Sequence, residues 1–343
     1  MMQPSHGTRA GANAGERAHR QDAGERIYAA LDLGTNNCRL LIASPEQESG
    51  QAGNLRVFDS FSRIVRLGEG VSATGRLSND AMERTLSALK ACQKKLNRYS
   101  LTDSHFVATE ACRRASNGAE FIKRVHDETG LAIDIISTEE EATLAFKGCA
   151  SLLTDQSPRA VVFDIGGGST ELMWVDVHQG KSISDWLSVG FGVMNLADKF
   201  GGSNFADMAF DDMVGVLTEQ LKPFDEANRI SHTIDGGKVQ LLSTSGTVTT
   251  LAAIHLELPR YDRSRIDGIK LSVADIRNTT RKLLAMRPSE RFNHPCIGPD
   301  RSDFIISGCA IFEAISNLWP TGEITIADRG VREGIILSLM EKS

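Results

Sequence analysis

The stretch "VVFDIGGGSTELMWV", residues 161–175, sets two apolar runs on either side of Gly166-Gly167-Gly168 and flanks the glycines with Asp164 and Glu171. Val, Phe, Ile and Trp favour strands, so the stretch reads as strand, turn, strand. A plain hairpin turn needs one or two glycines, not three between carboxylates. Glycine has no Cβ, and a turn of small residues at a strand end exposes backbone N–H groups that converge on an anion. The carboxylates cannot bind phosphate directly, but they can hold a metal ion that bridges to phosphate oxygens. Magnesium suits that role, because it prefers oxygen ligands and keeps several waters. The stretch has neither the G-K-[ST] of a Walker loop nor the helix that follows the glycines of a dinucleotide fingerprint.

The pattern occurs twice. "LDLGTNNCRLLIA", residues 31–43, repeats strand, Asp, aliphatic, Gly, small polar turn, strand, with Asp32 placed 132 residues (164 − 32) before Asp164. A repeat of this length implies a duplicated domain rather than a solenoid. Two such turns facing each other, Gly34-Thr35-Asn36-Asn37 and Gly166-Gly167-Gly168-Ser169, would clamp a phosphate chain. Asp32, Asp164 and Glu171 are the candidate metal ligands. A third stretch, "TSGTVTTLAA" (residues 244–253), follows the strand "VQLLS" and opens a helix. There Ser245, Gly246 and Thr247 make either an anion site or a plain N-cap. "IADRGVREG", residues 326–334, also joins strand to helix and reads as a further anion site or a salt-bridged helix start.

Around these motifs the chain cycles twice through strands and helices. The first cycle has strands near 27–33, 37–44, 55–62, 105–109 and 131–137, with helices near 79–99, 119–128 and 139–153. The second has strands near 160–165, 170–177, 182–188, 239–243 and 323–327. Its helices lie near 192–200, 208–228, 246–257, 272–285 and 300–317, and a last one follows residue 330. The pattern predicts two α/β lobes with mixed sheets, residues 27–137 and 138–329, with the helix 330–343 placed to pack back on the first. A length of 343 residues fits about two domains. Residues 1–26 are almost free of large apolar side chains and read as a disordered arm.

The net charge of −6 gives no overall pull toward nucleic acid. A polyanionic substrate therefore needs a locally basic cleft, for which Arg63, Arg66, Arg113 and Arg114 in the first lobe and Arg260, Arg263, Arg265 and Lys270 in the second are available. No apolar run reaches the roughly 20 residues that cross a bilayer. The six cysteines form no C-x-x-C pair, which argues against zinc and for reduced thiols in a cytoplasmic protein.

Six stretches in order, "ALDLGTNNCRLLIA", "ATEACRRASNGAEF", "IISTEEEATLAFKG", "FDIGGGSTELMWV", "STSGTVTTLAA" and "DRGVREGII", together resemble the exopolyphosphatase / guanosine pentaphosphate phosphohydrolase (Ppx/GppA) family over residues 27–343. The resemblance implies two ribonuclease H-like lobes of the actin, Hsp70 and sugar-kinase superfamily, closing over an interlobe phosphate cleft. It implies a magnesium-dependent exopolyphosphatase that removes terminal phosphate from inorganic polyphosphate by in-line attack of water. Hydrolysis of guanosine pentaphosphate (pppGpp) to ppGpp is the nearest alternative, and a non-catalytic alarmone-binding regulator is the alternative from another class. By the resemblance Glu141 is the catalytic glutamate and Arg113 an arginine facing the substrate phosphates. Without it, Glu139, Glu140 and Glu141 could simply be a charged first helical turn. Residues about 100° apart on a helix cannot both face one cleft, so one of Glu140 and Glu141 at most is expected to point in. Thr138 stands where the family usually has glycine, and Asn37-Cys38 replaces a more usual serine and large apolar residue. The chain resembles the short two-domain form, expected to grip fewer residues of the polymer, and relatives suggest a homodimer.

Overall fold

The structure is a computed structural model that describes residues 25–46, 55–200, 208–234 and 236–342. Most of the N-terminal arm expected from the sequence lies outside the described residues. Glu25, at its end, accepts a hydrogen bond from Ser44 Oγ at 3.0 Å and pairs with Arg56 at 3.2 Å.

Alternating and continuous apolar runs build two sheets among the described residues. The first contains β1 (Tyr28–Leu33), β2 (Asn37–Pro45), β3 (Leu55–Ile64), β4 (Asp103–Ala108) and β5 (Asp134–Ile135), in the order β3-β2-β1-β4-β5. The second contains β6 (Arg159–Ile165), β7 (Thr170–Asp176), β8 (Ser182–Val189), β9 (Val239–Ser243), β10 (Ile269–Ser272) and β11 (Glu323–Ile326), in the order β10-β11-β9-β6-β7-β8. The two follow one plan. β1 is antiparallel to β2 and parallel to β4, as β6 is antiparallel to β7 and parallel to β9. β5 then runs parallel to β4, as β11 does to β9. Only β10, antiparallel to β11, is added. This is the duplicated ribonuclease H-like lobe.

Each sheet is covered on both faces, which suits its parallel centre. On one face of the first sheet, Ala29, Leu31 and Leu33 pack under the helices Asn79–Leu96 and Gly118–Thr129. On one face of the second, Val161, Phe163 and Ile165 pack against the helix Ile305–Leu318, which is buried nearly all round. The opposite faces meet a pair of helices between the lobes, Thr138–Cys149 and Val331–Lys342. Tyr28, Ala30, Leu41 and Ala43 pack with Leu144, Val331, Ile335, Ile336 and Leu339. Ala160, Val162, Met173 and Val175 pack with Ala142, Phe146 and Cys149 of the same first helix. The two helices cross at glycines: a Cβ on Gly334 would sit 1.9 Å from the Leu144 carbonyl oxygen, and one on Gly148 would sit 2.0 Å from that of Gly330.

The expected strand 131–137 is cut to two residues. Leu131, Ile133 and Ile136 turn into the cores, only Asp134 and Ile135 pair with β4, and Ser137 already caps the next helix. The expected helix 300–317 is broken into Pro299–Ser302 and Ile305–Leu318. Strand β10 and the five-residue helix Glu110–Arg114 were not anticipated by the periodicity. No described helix is long and apolar enough to cross a membrane. All six cysteines are free thiols and buried.

Candidate active site

Sheet register puts the acidic side chains where they are. In β1 and β6 the face that packs on the interlobe helices carries every second residue: Tyr28, Ala30, then Asp32; Ala160, Val162, then Asp164. Both aspartates are thus the last side chains on their faces before a turn. Across the hairpins Asp32 stands opposite Arg39, and Asp164 opposite Glu171. In both hairpins the partner lies seven residues on. Both turns close alike, with Gly34 N donating to Asn37 O and Gly166 N to Ser169 O, each at 2.9 Å.

The turns are tied from behind through their carbonyls. Thr35 O accepts from Gly68 N at 2.9 Å, and Asn36 O from Val65 N and Arg66 N at 2.8 and 3.1 Å. In the second lobe Gly166 O and Gly167 O accept from Val193 N and Met194 N, at 3.0 and 2.9 Å, at the start of the helix Val193–Lys199. Gly168 O accepts from Asn195 Nδ2 at 2.6 Å. In a trans peptide the next N–H points away from such a carbonyl. The N–H groups of Gly167, Gly168 and Ser169 accordingly donate to no acceptor among the described residues, an arrangement that calls for a ligand where the backbone is buried.

The two turns face each other closely. A Cβ on Gly167 would meet Thr35 Cβ at 3.1 Å and Asn36 Cβ at 3.2 Å, and one on Gly168 would meet Thr35 Oγ1 at 2.9 Å. The glycines therefore let the lobes approach as well as exposing backbone donors. Between and beside the turns lies a cavity of about 130 Å³. Its walls include Asp32, Glu141, Asp164, Gly34, Thr35, Asn36, Asn37, Gly166, Gly167, Gly168, Ser169, Gly246 and Thr247. Ser245 is not part of the wall; it is fully buried and its hydroxyl caps the helix Gly246–His255, accepting from Thr247 N at 3.0 Å. Glu171 and Arg113 also lie behind the wall rather than in it. Asn36 Oδ1 is buried with no partner among the described residues.

Glu141 comes from the first turn of the helix Thr138–Cys149, where Ser137 Oγ accepts from Glu140 N at 3.1 Å. That cap sets the helical phase. It turns Glu141 inward and leaves Glu139 and Glu140 exposed. Burial first, then the nearby charge of Glu171, pushes the Glu141 carboxyl well above its usual range, with Arg113 acting against the shift. Burial likewise raises Asp32, against the opposing pull of Arg39. Asp164 is pushed up to about 6 and Glu171 to about 7, burial again being the main cause.

Arg113 anchors Glu141 on both nitrogens. Nη1 donates to Ile136 O at 2.8 Å and to Glu141 Oε2 at 3.1 Å. Nη2 donates to Glu110 Oε2 at 2.8 Å and to the same Glu141 oxygen at 3.1 Å. Arg114 is half-exposed and reaches Glu110 at 3.7 Å. Arg263 pairs with Glu333 at 2.8 Å, so at least one member of the basic 260–270 stretch is neutralised in place. Arg66 crosses between the lobes to Asp303 at 3.5 Å and stacks on Phe304.

Among the described residues no group of three or more His, Cys, Asp or Glu side chains is gathered into a ligand sphere. Asp164 and Glu171 are cross-strand neighbours, whereas Asp32 comes from the other lobe. The donor set is entirely hard carboxylate oxygen, and Ser188 Oγ donates to Glu171 Oε1 at 3.0 Å. The oxygen chemistry of these side chains, not their spacing, is what suits magnesium, which keeps several waters.

Sequence reasoning missed Arg39, Glu110 and Arg301, all in the cavity wall. For Arg39 a signal existed: aligning the two hairpins on their aspartates places it at the position equivalent to Glu171. Nothing local marks Arg301, which donates to Thr250 Oγ1 at 2.7 Å and stacks on Tyr261.

The model of a family described as the Ppx/GppA phosphatase family matches residues 47–343. Exopolyphosphatase 2 of Mycobacterium tuberculosis is 29% identical over 325 residues, covering 91% of this chain and 98% of that protein. The bifunctional 3-dehydroquinate synthase/phosphatase of Fusobacterium nucleatum is 29% identical over 322 residues. There the match covers 92% of this chain but only 47% of the relative's length. Among solved structures, the Aquifex aeolicus member of the Ppx/GppA protein family is 27% identical with a TM-score of 0.75, covering 92% of this chain and 98% of that one.

Proposed function

The chain belongs to the Ppx/GppA phosphatase family, and on that premise we propose that it is an exopolyphosphatase, hydrolysing the terminal phosphoanhydride of inorganic polyphosphate. The observation that carries the reading is the pair of facing turns, with the N–H groups of Gly167, Gly168 and Ser169 unspent beside the Glu141 carboxylate. Terminal phosphates would lie between the turns, taking up these donors together with Thr247 and Gly246 at the adjoining helix start. Glu141 takes the proton of a water in line with the terminal phosphorus, the water oxygen bonds to phosphorus, and the anhydride oxygen leaves with the shortened chain. A carboxylate with a raised pKa is a better match to that proton than an ordinary one. Arg39, in the cavity wall, puts a cation near enough to both Asp32 and Asp164 to favour their charged forms.

Asp32, Asp164 and Glu171 are the residues that would hold magnesium. When bound, the ion supplies charge neutralisation at the phosphate oxygens.

The test is orthophosphate release from polyphosphate by the wild type and by Glu141→Ala. Loss of release in the variant supports the reading, and equal rates overturn it. Guanosine pentaphosphate presents the same kind of terminal anhydride. Competing it against polyphosphate on the wild type shows which substrate the cleft prefers.

A further inference from the structure

We propose that Glu110 is a positioning residue for this reaction: it sets the Arg113 guanidinium so that one oxygen of Glu141 is held and the other is left to the attacking water. The inference rests on the hydrolytic role of Glu141 given above.

A guanidinium carries five N–H donors, four of them on its two terminal nitrogens. In Arg113 all four are used, one on Ile136 O, one on Glu110 Oε2 and two converging on Glu141 Oε2. Glu141 Oε1 accepts nothing among the described residues, and Glu141 lines the cavity while Arg113 does not. Arg113 therefore cannot offer its fork to a phosphate while these bonds stand. Its place is beside the base, not against the substrate.

The convergent geometry needs an explanation. An arginine and a carboxylate left to themselves pair fork to fork, one N–H on each oxygen. That pairing would occupy Oε1 as well as Oε2 and leave Glu141 without a free oxygen to take a proton. Two fixed acceptors set where the guanidinium sits, and from that position its two remaining inward hydrogens meet on one oxygen. The Ile136 carbonyl takes one hydrogen of Nη1, and Glu110 takes one of Nη2. Each terminal nitrogen is left with a single hydrogen, and both aim at Oε2.

Glu110 is well placed to be such a stop. It opens the short helix Glu110–Arg114, three residues before Arg113. Its side chain is mostly buried, and its Cγ lies 3.0 Å from where a Cβ on Gly168 would be. The triple-glycine turn of one lobe thus backs the residue that orients the arginine of the other.

Three variants test this. Glu110→Ala removes one of the two acceptors that fix the guanidinium, lets Arg113 turn to pair with both oxygens of Glu141, and is expected to lower kcat for polyphosphate about tenfold or more with KM changed less than about twofold. Glu110→Gln keeps an acceptor oxygen in place and is expected to recover most of kcat. Arg113→Ala removes the anchor and makes a further Glu110→Ala change silent. A mere negative charge at the rim of an anion site predicts the reverse for Glu110→Ala: KM falls, kcat stays. That result overturns the proposal, as does a Gln variant no better than Ala.

Crystal structures of the substrate-free wild type and Glu110→Ala supply a readout that needs no activity. The expected change is Arg113 bidentate on Glu141; an unmoved guanidinium overturns the proposal. A wild type that releases no phosphate sinks the hydrolytic reading instead, and the two failures are told apart.

Discussion

Burying a carboxyl group beside other carboxyl groups disfavours its charge, and Glu141 bears both influences. A base must be ionised to act. Because its pKa is raised, the acid limb of the kcat profile should lie above the ordinary carboxylate range, and activity should climb as pH rises through the shifted value. Rates measured from pH 4 to 9 check this; a limb near 4.5 would remove Glu141 from the role. Glu141→Gln is expected to lower kcat by on the order of 10²–10⁴ with little change in KM. That one of three consecutive glutamates faces the cleft is decided by the helical phase set at Ser137. The sequence limited the inward residue to one of Glu140 and Glu141 by helical geometry, and the resemblance pointed to Glu141. Arg39 was present in the quoted first hairpin, but its meaning depends on the strand register that sets it against Asp32.

Secondary-structure elements meet most tightly where the interlobe helices cross. A methyl group on Gly334 would lie inside the contact distance of the Leu144 carbonyl oxygen, on backbone that cannot rotate away. Gly334→Ala should therefore cost stability by about 1–3 kcal/mol or more, read as a fall in the denaturation midpoint at unchanged slope. A variant as stable as the wild type would mean that the helices can separate freely. At the facing turns the contact is milder: Gly167→Ala asks Thr35 and Asn36 to give by a few tenths of an ångström. Its expected effect is on activity more than on folding, since it wedges the turns apart and covers a donor. Phosphate release alongside thermal unfolding separates the two. The hairpins were legible because a duplicated motif writes the same spacing twice. Strand β5 was misjudged because an apolar run beside a helix cap can pack into the core instead of pairing.

At the scale of the whole molecule, the cleft stores unfavourable charge. The folded state holds the proton of Asp164 up to about 6 and that of Glu171 up to about 7, against 3.8 and 4.5 for the freely solvated side chains. A carboxyl group that binds its proton more tightly when folded contributes stability that is fully present below its unfolded pKa and lost as pH rises through the folded value. The chelated protein should thus lose melting temperature between about pH 5 and pH 8 from these groups, and Glu171→Gln should flatten that fall. Magnesium, taken up by the ionised carboxylates, should restore stability more at pH 8 than at pH 5. Thermal scans with chelator and with magnesium decide this; no difference between pH values would mean that these carboxylates do not hold the ion.

The sequence by itself determined the duplication, the alternation of strands and helices, and the residues of the two turns, because these depend on local spacing and on which side chains tolerate a turn. Tertiary structure alone decided that the turns meet across the lobes, that Ser245 is spent as a cap, and that Arg113 lies behind Glu141 with Glu110 holding its other side. Those facts depend on which groups from distant parts of the chain arrive within hydrogen-bond range, and spacing along a chain does not encode how two lobes close.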